Sequence, residues 1–98
     1  MTDILNKVKF VKEAANELRE SVDWYELSVE GLGLRFMDEI DSTIERITLN
    51  PTLYQKITAK IRKIQVNKFP FSIFYKTEDS TLIILRIFHN KRKPKKRI

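Results

Sequence analysis

The 98-residue chain has no cysteine, one histidine, two glycines and three prolines. Without cysteine it can form neither a disulfide nor a thiolate metal site, and one histidine leaves only carboxylates to complete another kind of metal centre. We therefore expect no metal, no cofactor and a reducing compartment, with the cytoplasm as the default. No apolar run is long enough to span a membrane, and the first ten residues lack the continuous apolar core of a signal peptide.

The two halves of the chain carry opposite charge. Residues 1–58 contain 7 Lys and Arg against 11 Asp and Glu, a balance of −4, whereas residues 59–98 contain 12 against 2, a balance of +10. A positive field on one half attracts polyanions, and nucleic acid, an acidic protein segment and anionic lipid all qualify. The length allows one domain, residues 1–98, that ends in a basic tail over residues 91–98.

Hydrophobic periodicity predicts a helical hairpin in the first half. Residues 7–10 alternate and predict a short strand, and residues 11 to about 28 predict an amphipathic helix, because apolar side chains recur every three or four positions. Gly31 and Gly33 predict the turn, since glycine tolerates the left-handed conformation that follows many helix ends. A second helix ends before the Asn-Pro pair at residues 50–51. Its expected buried stripe is Phe36, Ile40, Ile44 and Ile47.

The second half predicts three strands in a meander. Residues 60–66, 71–76 and 81–88 are rich in β-branched and aromatic residues and are separated by turn sequences. The last strand is apolar at nearly every position, which is typical of a central strand covered on both faces or nearly so. The order β, α, α, β, β, β predicts an α+β fold in which the helical hairpin packs on a mainly antiparallel sheet. The aromatic residues expected in its core, rather than stacked on bases, are Phe69, Phe71, Phe74 and Tyr75.

Five short motifs occur in a specific order and spacing over nearly the whole chain. They are WYE at 24–26, GLGLRF at 31–36, NP at 50–51, IRKIQVNKFPFSIFY at 61–75 and FHNKRKP at 88–94. Together they resemble the RelE/ParE superfamily of bacterial toxins, and the ParE-like branch fits best. The resemblance implies a small toxin encoded beside an antitoxin, which wraps and silences it in a hetero-oligomer. RelE-like members cleave messenger RNA on the ribosome, whereas ParE-like members are associated with inhibition of DNA gyrase.

Three residues are candidates for RNA cleavage, which needs a proton acceptor, a cation to stabilise the phosphorane and an acid for the leaving oxygen. His89 is a candidate acid or base because histidine is the residue type that commonly exchanges protons near neutral pH and because it follows a buried strand, although a half-buried histidine that closes the strand is the commoner case. The resemblance places Arg62 where ribonuclease members often carry a phosphate-binding arginine, and a surface ion pair is an equal alternative. Arg86 has the opposite strand parity to His89, so a joint role needs an irregularity between them.

The end of the chain departs from the ribonuclease pattern. Several ribonuclease members carry a tyrosine close to the histidine, but here Asn90 and Lys91 follow it. This departure favours a protein that binds its target over one that cleaves RNA. The basic tail either contacts an anionic target or is a solvated terminus. Trp24 lies beside the apolar stripe of the first helix and is the candidate anchor for a protein partner. The tail residues expected to contact an anionic target are Arg92, Lys93, Lys95, Lys96 and Arg97.

The resemblance implies a ParE-like toxin that inhibits growth by binding a macromolecular target, with DNA gyrase as a candidate and a cognate antitoxin as its silencing partner. The first alternative is a metal-independent, ribosome-dependent endoribonuclease of the RelE type. The second is a basic nucleic-acid-binding module without toxicity. We expect no membrane partner.

Overall fold

The computed structural model describes residues 5–91 and has two helices packed on a five-stranded sheet. This is the predicted α+β fold, and the short strand β2 is an addition that the sequence pattern did not predict. The predicted tail residues from 92 onward lie outside the described residues. The elements are β1 (Lys7–Phe10), α1 (Lys12–Ser28), α2 (Leu32–Leu49), β2 (Gln55–Lys56), β3 (Arg62–Gln65), β4 (Phe71–Glu78) and β5 (Thr81–His89).

The sheet is mainly antiparallel, as predicted, with the strand order β1-β5-β4-β3-β2. β1 runs parallel to β5, whereas β4 pairs antiparallel with both β5 and β3. Both residues of the tight turn between β4 and β5, Asp79 and Ser80, have positive φ angles, of 50° and 62°. Such turns match the twist of the strands that they join, which favours the close pairing of β4 with β5.

The two glycines of the predicted hairpin turn have different structural roles. Gly31 precedes α2 with a φ of 85°, a left-handed conformation that glycine adopts without strain. Gly33 lies in the first turn of α2, where a Cβ atom would stand 2.7 Å from the carbonyl oxygen of Val22 on α1. The carboxylate of Glu26 accepts the N–H groups of Gly31 and Gly33 at 2.8 and 2.9 Å. A residue of α1 therefore caps α2, and the missing side chain of Gly33 lets the two helices approach closely.

The buried stripe of α2 differs from the predicted stripe at one position. Phe36, Ile40 and Ile47 are fully buried, as predicted. The prediction for Ile44 holds only in part, because Ile44 packs against the core but is half-buried, and Thr43 is the fully buried residue at that point of the helix. The Thr43 hydroxyl donates to the carbonyl oxygen of Glu39 at 2.6 Å, which satisfies its hydrogen bonding in an apolar setting.

Only one face of the sheet is covered by helices in the described part of the chain. On β5, Leu82, Ile84 and Ile87 point toward the helices and are at most 2% exposed. Ile83 and Phe88 lie on the opposite side of the sheet, which we call the open face, and are half-buried. The prediction was a strand covered on both faces or nearly so; no residue of β5 is exposed, but the helices cover one face only. β5 is central, but between residues 5 and 91 no helix packs on its open-face residues.

Candidate functional site

Arg62 begins β3, opposite Tyr75 of β4, on the side of the sheet that faces the helices. Its Nη1 donates a hydrogen bond to the carbonyl oxygen of Tyr54 at 2.8 Å. With Lys60 and Lys76, Arg62 lines an open cavity of about 310 Å³. Glu78 lines the same cavity and lies 3.2 Å from Lys76, so Arg62 and Lys60 are the cations that make it a candidate anion site. The bond to Tyr54 fixes the guanidinium of Arg62 in the cavity wall.

Tyr75 lines the same cavity but is not suited to proton transfer. Its hydroxyl donates to the carbonyl oxygen of Pro51 at 2.8 Å, and its side chain is 1% exposed. Burial raises the pKa of Tyr75 to about 12, and the nearby charge of Arg62 only partly opposes this rise. The phenol is therefore neutral near pH 7 and its proton is committed to Pro51, so Tyr75 supports the loop rather than acting as a general base.

His89 ends β5 on the side that faces the helices. It pairs with Phe71 of β4, and the two rings meet edge to face with their centroids 5.0 Å apart. Its Nδ1 accepts a hydrogen bond from the backbone N–H of Lys91 at 3.1 Å. The side chain is half-buried. These contacts are those of a residue that closes the strand and sets the direction in which the chain leaves it.

Arg86 lies on β5 and is held by Glu17 of α1. Its Nε and Nη2 donate to the same carboxylate oxygen, Oε2, at 2.9 and 2.7 Å, and the other oxygen accepts the backbone N–H of Ile87 at 2.8 Å. The hydrogen bonds that Arg86 donates to Glu17 raise the pKa of Arg86 despite the opposing effect of burial. The positive charge of Arg86 is thus already paired inside the protein.

The structure does not bring the three predicted catalytic residues together. The register of β5 against β4 shifts at Leu85, which precedes Arg86, so no irregularity separates Arg86 from His89 and the two residues lie on opposite faces. Arg62 and His89 share a face, but their partners on β4, Tyr75 and Phe71, are four positions apart. Four positions on a strand span about 13 Å. In this conformation, therefore, the three side chains do not surround one reacting phosphate.

Asn90, which follows His89, ties the ends of three strands together. It accepts a hydrogen bond from the hydroxyl of the fully buried Ser72 at 2.6 Å and donates one to Oε1 of Gln65 at 2.8 Å. Its backbone N–H also bonds to the carbonyl oxygen of Pro70 at 2.7 Å. The sequence indicated only that Asn90 departs from the ribonuclease pattern. The network fixes the point from which the basic tail begins.

A row of alternating cations and aromatic rings crosses the open face. The Nζ of Lys63 lies 5.8 Å from the ring centroid of Phe74, the rings of Phe74 and Phe88 meet edge to face at 6.4 Å, and the guanidinium carbon of Arg86 lies 5.3 Å from the Phe88 centroid. Core packing was the prediction for four aromatic residues. It is confirmed for Phe69, Phe71 and Tyr75 and wrong for Phe74.

The tip of the helical hairpin exposes large apolar side chains. Trp24 is 62% exposed. Its ring meets the ring of Tyr25 edge to face, with the two centroids 5.3 Å apart. Tyr25 in turn packs against Phe36, Phe69 and Phe71. An exposed tryptophan anchored to the core in this way is positioned to contact a protein partner. We define the hairpin patch as Trp24, Leu27, Val29 and Leu34, which are all more than half exposed.

The described residues offer no ready metal centre or membrane span. Among residues 5–91, no group of three His, Asp or Glu side chains is placed to hold a metal ion. Neither of the two helices is long and apolar enough to cross a bilayer.

Solved toxin structures share this fold. A ParDE toxin–antitoxin structure from P. aeruginosa superposes with a TM-score of 0.70 at 20% identity, covering 87% of this chain and 96% of that one. The isolated E. coli RelE toxin superposes with a TM-score of 0.64 at 13% identity, covering 89% of this chain and 86% of that one. A chain of the E. coli RelBE toxin–antitoxin complex superposes with a TM-score of 0.64 at 13% identity, covering 88% of this chain and 98% of that one. At these identities the likeness concerns the fold alone.

The sequence itself also carries a family signal. None of the curated proteins matches the chain. The family model described as the ParE toxin of the type II toxin–antitoxin system, parDE, matches residues 8–94. This range includes both helices, all of the sheet except Lys7 and the ends of the three strands that Asn90 joins. The chain therefore belongs to the ParE toxin family of type II toxin–antitoxin systems.

Proposed function

We propose that the chain is a ParE-type toxin that arrests growth by binding a macromolecular target, with DNA gyrase as the first candidate, and that a cognate antitoxin silences it in the cytoplasm. The match to the ParE toxin family over residues 8–94 carries this proposal. The dispersal of the catalytic candidates supports binding over catalysis, because Arg86 is paired with Glu17 and lies on the other face from His89.

The basic end of the chain is the proposed contact with the target. His89 and Asn90 are both held by hydrogen bonds, so the residues that follow them start from a fixed point on the fold. Five of the seven residues after Lys91 are Lys or Arg. Clustered cations bind anionic surfaces through contacts that weaken with added salt. The proposed target-binding residues remain Arg92, Lys93, Lys95, Lys96 and Arg97.

The hairpin patch is the proposed anchor for the antitoxin. Trp24 exposes a large rigid ring beside other apolar side chains, and such residues contribute much of the affinity at protein interfaces. The helices around the patch are rich in acidic residues, whereas the sheet and tail are basic. The antitoxin is therefore expected to place apolar side chains at the hairpin.

One observation keeps the ribonuclease alternative as a second candidate. Arg62 and Lys60 line one cavity, and these two cations are suited to a phosphate, whereas the charge of Lys76 in the same cavity is paired with Glu78. Catalysis at that cavity would require a proton acceptor other than Tyr75, whose pKa of about 12 keeps it protonated.

Induction of the chain alone, followed by co-expression with the small protein encoded beside it, tests the proposed function. We expect growth arrest on induction, relief on co-expression and co-purification of the two proteins. A bound antitoxin at a thousand times its dissociation constant stabilises the folded toxin by about 4 kcal/mol, which raises its melting temperature. Normal growth during induction, with no co-purification and an unchanged melting temperature, would contradict the proposal.

A further inference from the structure

We infer that Asn90 is a positioning residue, whose hydrogen bonds orient the start of the basic tail and thereby raise its affinity for the target. This inference rests on the proposed function, since it concerns the segment that is proposed to contact the target. Asn90 follows His89, the last residue of β5, so it lies beyond the last residue pair of the sheet. Residues just past such an end are poorly ordered unless other contacts hold them.

Asn90 has contacts of this kind at both its side chain and its backbone. Its Oδ1 accepts the hydroxyl hydrogen of Ser72 on β4, and its Nδ2 donates to Oε1 of Gln65 on β3. Its backbone N–H donates to the carbonyl oxygen of Pro70, in the turn that joins those two strands. One residue past the end of β5 is thus bonded to two other strands and to their turn.

The two side-chain partners of Asn90 are themselves fixed. The Nε2 of Gln65 donates to the carbonyl oxygens of Val66 and Phe69 at 2.9 and 3.2 Å, so its Oε1 is the end left to face Asn90. Ser72 lies opposite Gln65 in the ladder and is fully buried, so its hydroxyl needs a partner inside the protein. An amide satisfies both partners, whereas an aspartate at position 90 would accept from Ser72 but could not donate to Gln65.

The preceding residue holds the chain from the other face of the sheet. The Nδ1 of His89 accepts the backbone N–H of Lys91, and the His89 ring packs on Phe71 on the side of the helices. Asn90 bonds instead to Ser72, the next residue of β4, whose side chain lies on the open face. Two consecutive side chains therefore hold the chain from opposite faces. The backbone is fixed up to Lys91, and the basic residue Arg92 follows directly.

A fixed starting point favours binding by the tail for an entropic reason. A segment loses conformational freedom when it engages a target, and this loss opposes binding. When the residue before the segment is already held, fewer orientations remain to be lost, and the cations approach the target from one direction. A freely jointed tail with the same cations would keep the electrostatic attraction but lose this advantage. Asn90 thus contributes to affinity without touching the target.

Two variants disconnect the tail from this network in different ways, and inhibition of DNA gyrase supercoiling measures the effect. Asn90→Ala removes the side-chain bonds, whereas an insertion of two glycines between Lys91 and Arg92 keeps every bond; both keep every cation. Each should need about ten times more protein for half-maximal inhibition. The control is Asn67→Ala, the same change at an exposed position whose side chain has no hydrogen bond within residues 5–91. It should change the required amount less than about twofold.

Combining the two changes separates positioning from a purely structural role. If Asn90 acts through the direction of the tail, Asn90→Ala adds no further loss once the glycines are inserted, so the combined variant should match either one alone. The dependence of inhibition on salt should stay that of the wild type in all three proteins, because no cation is removed. Arg92→Glu with Lys93→Glu should weaken that dependence instead.

Several results would overturn the inference and leave the proposed function intact. They are full potency of the glycine insertion, losses that multiply in the combined variant, and a lower melting temperature of Asn90→Ala without loss of inhibition. Circular dichroism establishes that each variant is folded, and the insertion decides the question even if Asn90→Ala does not fold. A wild type that leaves supercoiling unchanged would overturn both the inference and gyrase as the proposed target.

Discussion

Glu17 of α1 holds Arg86 of β5 through two N–H donors that reach the same carboxylate oxygen, at 2.9 and 2.7 Å. The second oxygen of Glu17 accepts the N–H of Ile87, a residue of β5 beyond the end of its pairing with β1. One carboxylate therefore replaces the missing strand partner and neutralises the adjacent arginine. This relationship joins the first helix to the last strand, 69 residues apart in sequence.

Removing the charge of Glu17 should destabilise the fold. Glu17→Gln keeps the size of the side chain but weakens its bonds to Arg86 and Ile87, and hydrogen bonds to charged groups are worth about 1.5–3 kcal/mol. We expect a loss of that order in the free energy of unfolding, measured in urea. Glu13→Gln, one turn earlier on α1 and exposed, is the control and should cost less than about 0.5 kcal/mol. Equal losses in the free energy of unfolding for Glu17→Gln and Glu13→Gln would contradict the role assigned to Glu17.

The close approach of the two helices makes Gly33 the more sensitive glycine of the hairpin. In Gly33→Ala the new Cβ would lie 2.7 Å from the carbonyl oxygen of Val22, so the helices must separate at a cost of about 1–3 kcal/mol. Gly31→Ala meets no atom within 4 Å but retains a left-handed φ, which costs about 1–2 kcal/mol. Denaturant melts of both variants measure the difference. A neutral Gly33→Ala would show that the helices are not packed as described.

The phase of α2 can be tested with two isoleucines on the same helix. Ile40 is fully buried and Ile44 is half-buried. Ile40→Ala should therefore cost about 2–5 kcal/mol through lost burial and a cavity. Ile44→Ala should cost less than half of that value, because water reaches the site. Urea melts measure the free energy of unfolding that each variant loses. A larger loss for Ile44→Ala than for Ile40→Ala would mean that the helix is rotated relative to this structure.

Tyr75 gives the protein a pH dependence in the alkaline range. Its pKa is about 12 in the fold and near 10.0 without burial, so the unfolded chain loses this proton first as the pH rises. The stability that Tyr75 contributes is complete below pH 10 and is lost as the pH rises from 10 to 12. The stability of Tyr75→Phe should fall less between pH 10 and 12 than that of the wild type. Tyr54→Phe keeps Tyr75, so its stability should fall as much as that of the wild type. Thermal melts between pH 9 and 12 measure both, and identical profiles would contradict the assignment.

Much of the fold was predictable because it depends on regular patterns. The helical spacing of apolar residues and the β-rich second half predicted both helices and four of the five strands. The phase of α2 was predicted except that Thr43, rather than Ile44, is the fully buried residue between Ile40 and Ile47, because a pattern based on hydrophobicity does not select Thr43. That hydroxyl is buried only because the carbonyl oxygen of Glu39 accepts its hydrogen.

The site was less predictable because its contacts join residues far apart in sequence. Glu17 is one of several acidic residues of α1, and the sequence carries no signal that Arg86 and Ile87 reach it. The strand pattern likewise predicted that β5 is apolar on both faces without showing that the helices cover only one. The cation–aromatic row of Lys63, Phe74, Phe88 and Arg86 depends on strand order, which alternation within single strands does not determine.

The central claim is that this ParE-family protein acts by binding rather than by RNA cleavage. Its most direct test is a pair of assays, gyrase supercoiling and ribosome-programmed RNA cleavage, on folded wild type, His89→Gln, and Arg92→Glu with Lys93→Glu. We expect the wild type to inhibit supercoiling without cleaving RNA, His89→Gln to match it, and the tail variant to need about ten times more protein and to show a weaker salt dependence. RNA cleavage by the wild type that falls about 100-fold or more in His89→Gln, with supercoiling unaffected by all three proteins, would contradict the claim.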